Sequence, residues 1–176
     1  MVQDNDRGTP EAGHAQPLRA EASPVHGGLT VEEAFIALAR SCVHQWQGNV
    51  AGALHAEADQ AAEFIHQIRV AQRRLRSALK VFAPALPSAF TETWPRRLRD
   101  NADRFGPARD LDVLRTELLD AIAPEWLIGT IAFRRLVDTV DAERHAVHEA
   151  SERALDAEEQ ACMILAFSAD LRQHPG

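Results

Sequence analysis

The sequence has no tyrosine, two cysteines, two methionines and no apolar run long enough to span a membrane. Each shortage removes a class of answer. A transmembrane helix needs about 20 consecutive apolar residues, so no membrane partner is expected. Cys42 and Cys162 stand far apart and form neither a CxxC metal motif nor a disulfide framework. Both read as reduced, buried thiols of a cytoplasmic protein. The opening MVQDNDRGTPEAG lacks a basic start followed by an apolar run, so it is not read as a secretory signal. Strand-length runs of β-branched and aromatic residues are scarce, and alanine and leucine dominate the apolar content, which favours helix.

The most informative absence is local. No acidic residue occurs between Glu63 and Glu92, although the chain as a whole has a formal net charge of -7. In that gap lies FIHQIRVAQRRLRSALKVF, residues 64–82, with one histidine, four arginines and one lysine. From Phe64 to Arg109 there are ten basic and three acidic residues, or +7, which leaves -14 on the rest of the chain. A basic region on an acidic protein points to a particular anionic partner rather than to general polyanion stickiness.

Residues 1–29 hold four glycines, three prolines and no apolar periodicity, and read as a disordered leader before a helical domain over residues 30–173. Thr30 and Glu33 form a T-x-x-E capping box that opens a helix to about His55. That helix buries Phe35, Leu38, Cys42 and Trp46, and Gly48 and Gly52 admit a close neighbour. A second helix runs from about Ala61 to Phe82 and is stopped by Pro84 and Pro87. Pro95 is read as the first turn of a third helix reaching Phe105, with Gly106-Pro107 breaking it before a continuation to about Ile122. A last long helix is expected from about Trp126 to Gln173. Four helices with short turns give an all-α fold, an antiparallel four-helix bundle.

On the second helix, at about 100° per residue, His66, Arg69, Arg73, Arg76 and Lys80 fall within an arc of about 80°. Ile65, Ile68, Leu75, Leu79 and Phe82 occupy the adjoining arc, and Arg74 points away. The basic face therefore borders the core face, where it would line a groove. From residue 66 to residue 80 the row is about 21 Å long, which suits an extended anion with repeating charge. Arginine forks onto phosphate oxygens and lysine acts as a point charge. The competing reading pairs this face with acids of the last helix, between Asp138 and Glu159, or leaves it solvated.

The stretch FIHQIRVAQRRLRSALKVFAPALP, followed by FGPARDLDVL, resembles the signature of CHAD domains, conserved-histidine α-helical domains. The resemblance implies an all-helical protein that binds inorganic polyphosphate through a basic surface, in some cases at polyphosphate granules. By position it assigns the histidine to His66 and motif arginines to Arg69, Arg73, Arg74 and Arg76, with Lys80 at a commonly basic position. It places Arg109, Asp110 and Asp112 in an RDxDV element and Arg99 at an often basic site. The two aspartates are expected to cap the helix start or orient Arg109 rather than touch phosphate. The full family domain resembles two similar halves, of which this chain matches the first. A C2 homodimer would rebuild the double bundle and supply the groove's opposite wall.

Polyphosphate binding without catalysis is thus the leading expectation, through His66, Arg69, Arg73, Arg76, Lys80, Arg99 and Arg109. No catalytic residue, cofactor or metal is assigned. The eight histidines form no HExxH, and His145 and His148 read as a surface pair. Nucleic acid fits less well, because the stripe contains no aromatic for base stacking and the remaining surface is acidic. The third option is a structural bundle whose basic face docks an acidic partner.

Overall fold

The computed structural model describes residues 16–173 apart from Ser23, Glu57, Ala123 and Pro124, and apart from the side chains of Ala58, Asp59, Ala108, Arg109, Ile122, Glu125, Trp126 and Glu152. Among these residues the fold is all-α. Helix α1 (Val31–Ala53) opens with the expected capping box: Thr30 Oγ accepts from the Glu33 N–H at 3.2 Å, and Glu33 accepts from the Thr30 N–H at 2.8 Å. Helix α2 (Ala58–Phe82) carries the basic stretch and runs into a 3-10 turn at Ala83–Ala85.

Helix α3 (Ser88–Asp103) begins seven residues before the expected start, so Pro95 lies inside it rather than at its first turn. The missing N–H of Pro95 costs one helical bond. Against that cost, Phe90, Trp94 and Leu98 recur every four residues and are all buried. Phe105 is buried in the turn before α4 (Gly106–Val113). A π-helical stretch, Leu114–Leu119, and the short α5 (Asp120–Ile122) continue α4, and α6 (Glu125–Ile128) leads into α7 (Ile131–Ala154).

The expected single last helix is divided. After α7 the chain breaks at buried Leu155, and α8 (Ala157–Gln173) restarts behind Asp156. The Asp156 carboxylate accepts from the Glu159 N–H at 2.9 Å and its carbonyl from the Gln160 N–H at 3.0 Å. This is an N-cap, and it permits a break without glycine or proline.

Four helices share the core: α1, α2, α3 and α8. Phe167 of α8 lies 5.4 Å from Phe90 and 5.0 Å from Trp94, the latter edge-on. A buried polar layer ties three of the four. Trp46 Nε1 donates to Gln160 Oε1 at 3.0 Å, and Gln160 and Asn101 exchange amide hydrogen bonds at 2.8 and 3.2 Å. Paired in this way, buried amides specify one register instead of weakening the core.

Two glycines set how closely α1 can be approached. A Cβ on Gly52 would meet the buried Phe64 ring at 2.1 Å, so α1 and α2 pack through that site only without a side chain there. A Cβ on Gly48 would lie 3.1 Å from Leu18. Leu18 belongs to the segment expected as a leader, of which residues 1–15 lie outside the described residues, and Leu18 itself is fastened to α1. The Leu18 N–H donates to Asn49 Oδ1 at 3.0 Å, and its carbonyl accepts from Asn49 Nδ2 at 2.8 Å. Cys42 is buried, which raises its thiol pKa, with Arg74 opposing. Cys162 departs from expectation and is exposed, because it lies on the outer face of α8.

Candidate anion-binding groove between α2 and α3

The basic arc of α2 meets α3 along a solvent-open groove of about 530 Å³. Arg73, Arg76 and Lys80 line it from α2, and Arg99 lines it from α3. Buried Leu79 with Pro95 and Ala83 forms its apolar surface, and the hydroxyl residues Ser77 and Thr91 complete it. The wall opposite α2 therefore comes from the same chain. The expectation of a second copy there rests on the chain's resemblance to only the first half of the full family domain. With α3 beginning at Ser88, Thr91, Pro95 and Arg99 follow at four-residue spacing on one face. Ser77 was legible on the helical wheel, about 40° from Arg73.

The described acids that could neutralise this face lie elsewhere. Among the described residues, Arg73, Arg76, Lys80 and Arg99 have no carboxylate within ion-pair distance. Asp141 pairs with Arg115 at 2.8 Å, Glu149 with His145 at 3.2 Å, and Glu159 with Arg104. The other arginines of α3 also have local uses. Arg96 pairs with Asp100 at 3.8 Å, and the Arg97 guanidinium sits 4.6 Å over the Trp94 ring.

The remaining expected residues are placed differently. Arg69 is half-buried and donates from a terminal guanidinium nitrogen to the Ala102 carbonyl at 2.5 Å, near the end of α3. His66 is also half-buried and lies about 10 Å before Arg73 along α2, away from the groove lining. The side chain of Arg109 lies outside the described residues. Arg74 is turned to α1, where it donates to Gln45 Oε1 at 2.8 Å, on the side the wheel assigns it.

Asp112 does not cap the start of α4, and whether it orients Arg109 lies outside the described residues. It joins α4 to α7, accepting from Arg144 Nε at 2.6 Å and approaching His148 Nε2 at 2.9 Å. Burial pushes its carboxyl pKa up, but the hydrogen bonds and positive charge of Arg144 and His148 outweigh burial and hold it below the usual carboxylate range. His145 and His148 therefore serve two different carboxylates. Asp110 is exposed.

Chemically, the groove offers up to four positive groups and two hydroxyls against an apolar floor. Guanidinium forks and an ammonium on such a floor suit phosphoryl oxygens. No helix among the described residues is long and apolar enough to cross a membrane. The family model of the CHAD domain matches residues 37–176. Comparison with curated proteins and with solved structures finds no match to either.

Proposed function

The chain belongs to the CHAD domain family, and from that premise we propose that it binds inorganic polyphosphate, without catalysis, in the α2–α3 groove. One observation carries the reading: Arg73, Arg76, Lys80 and Arg99 converge on one groove with no carboxylate among the described residues to neutralise them, in a chain of net charge -7. Adjacent like charges cost stability unless a counterion joins them. A repeating anion supplies it, and each counterion released from that anion adds to affinity at low salt. The acidic remainder of the chain repels polyanions that approach elsewhere. The family resemblance supports a place beside polyphosphate granules.

The test is titration with long-chain polyphosphate, orthophosphate and single-stranded DNA across a salt series. Polyphosphate should bind most tightly and weaken steeply with salt. The double variant Arg73→Glu, Arg76→Glu should lose at least a hundredfold in affinity while keeping its helical circular dichroism. Equal binding of DNA and polyphosphate, or a double variant that binds like the parent, rejects the proposal.

The family resemblance also supports a homodimer in which two copies complete a double antiparallel bundle. Leu165, 65% exposed on the outer face of α8, is an apolar contact available to such a pair. Sedimentation should then report about twice the 19.4 kDa chain mass, and a monomer at high concentration excludes the dimer.

A further inference from the structure

The row of five groups on α2 suggests a ligand running about 21 Å, yet the structure divides that row. Arg69 donates to the Ala102 carbonyl, and a Cβ on Gly106 would lie 3.6 Å from the same guanidinium. Its charge is thus held at the junction where α3 ends and α4 begins. Arg99 sits one turn before Ala102 on α3. By fastening the end of α3 to α2, Arg69 keeps Arg99 facing Arg73, Arg76 and Lys80. It is a positioning residue. The cations that line the groove span only residues 73 to 80 on α2, about 10 Å, with Arg99 across from them.

Resting on the phosphate-chain reading of this groove, we propose that a single protein chain engages only a short phosphate run, of the triphosphate to tetraphosphate class. Longer polymers then recruit more protein copies instead of binding each copy more tightly. Charge matching sets the size. A terminal phosphate carries about -1.5 to -2 at neutral pH, and an inner one about -1, so triphosphate brings about four to five charges to four cations. Orthophosphate satisfies about half of the groove. Units beyond the fourth pass out over Arg69 and His66, neither of which lines it.

The experiment titrates the full chain with orthophosphate, pyrophosphate, triphosphate, tetraphosphate and a long-chain polyphosphate by calorimetry, repeated over a salt series. Affinity per bound protein copy should rise at least tenfold from orthophosphate to triphosphate, then change less than threefold from tetraphosphate to the long polymer. The number of copies per polymer should grow with polymer length. The log–log salt slope should level near about -3, as for four cations released at about 0.7 each. A further tenfold gain beyond tetraphosphate, or a slope near about -5, overturns the short footprint and assigns the ligand to a surface extending past the groove or shared between copies. Triphosphate no tighter than orthophosphate overturns it from the other side. If no phosphate chain of any length binds, the underlying reading fails and this one with it.

Two variants separate positioning from contact. Arg76→Gln should reduce the salt slope by about 0.7, as loss of one contacting cation requires. Arg69→Gln should weaken triphosphate binding with the slope unchanged. A slope reduced equally by Arg69→Gln places Arg69 on the ligand and defeats the assignment.

Discussion

Where α4 and the π-helical turn meet α7, Arg115 lies against Asp141 and Asp120, and Arg144 lies against Asp112; where α2 meets α3, Arg73, Arg76, Lys80 and Arg99 lie against no carboxylate among the described residues. The two regions draw on the same residue types and put them to opposite ends. On the α7 side, opposite charges fasten two elements whose apolar contact is modest. On the groove side, Phe90, Trp94 and Leu98 pack into the core and Arg69 bonds the Ala102 carbonyl, while the four cations of the groove are in no ion pair among the described residues. A cation's role is thus read from which contacts hold its helix in place, as much as from the cation itself.

The largest effect should come from breaking the paired side. Asp112→Ala leaves Arg144 and His148 without their shared acceptor and should cost about 2–3 kcal/mol in urea unfolding, the scale for hydrogen bonds to charged groups. Polyphosphate affinity should stay within about twofold, because Asp112 is not in the groove. A loss of binding parallel to the loss of stability would mean that the two regions are coupled.

Acid should loosen the same side next. The Asp112 carboxyl is held below its unfolded value, so its contribution is fully present at neutral pH and is lost as pH falls below about 4, through the folded value. Amide exchange in α7 should accelerate on acidification before exchange in the buried face of α2. The difference should shrink in Asp112→Asn. Simultaneous loosening of both helices would refute the assignment.

The smallest effect belongs to the groove. Arg76→Gln removes like-charge neighbours at Arg73 and Lys80, so stability should be unchanged or higher by at most about 0.5 kcal/mol. Thermal unfolding in low salt checks this, and a clear destabilisation would show that Arg76 has a structural partner after all.

Much of this arrangement was legible in the residues. Thr30 and Glu33 announced α1, Gly52 announced a close neighbour, which is Phe64, and the wheel separated Arg74 from the basic arc. These are local signals, each resolved within a turn or two of its own helix. What escaped was set by neighbours. Pro95 is as compatible with a first turn as with an interior kept helical by buried aromatics, and only the packing of Phe90 and Trp94 decides. Asp156 with Glu159 is a capping signal, but an uninterrupted helical pattern on both sides concealed it. A wheel gives the direction of Arg69; it cannot reveal that the Ala102 carbonyl waits there, because that carbonyl arrives from 33 residues away.

The clasp between Leu18 and Asn49 bears on how this domain can be handled. The family match begins at residue 37, six residues inside α1 and well after the clasp. A shortened protein cut to that boundary would discard the Thr30 cap, worth about 1 kcal/mol, and would strip cover from the fully buried Asn49 amide. Boundaries drawn by likeness alone would thus yield a weaker molecule than the chain itself, and a fragment that keeps both Leu18 and Thr30 is expected to be the more stable one.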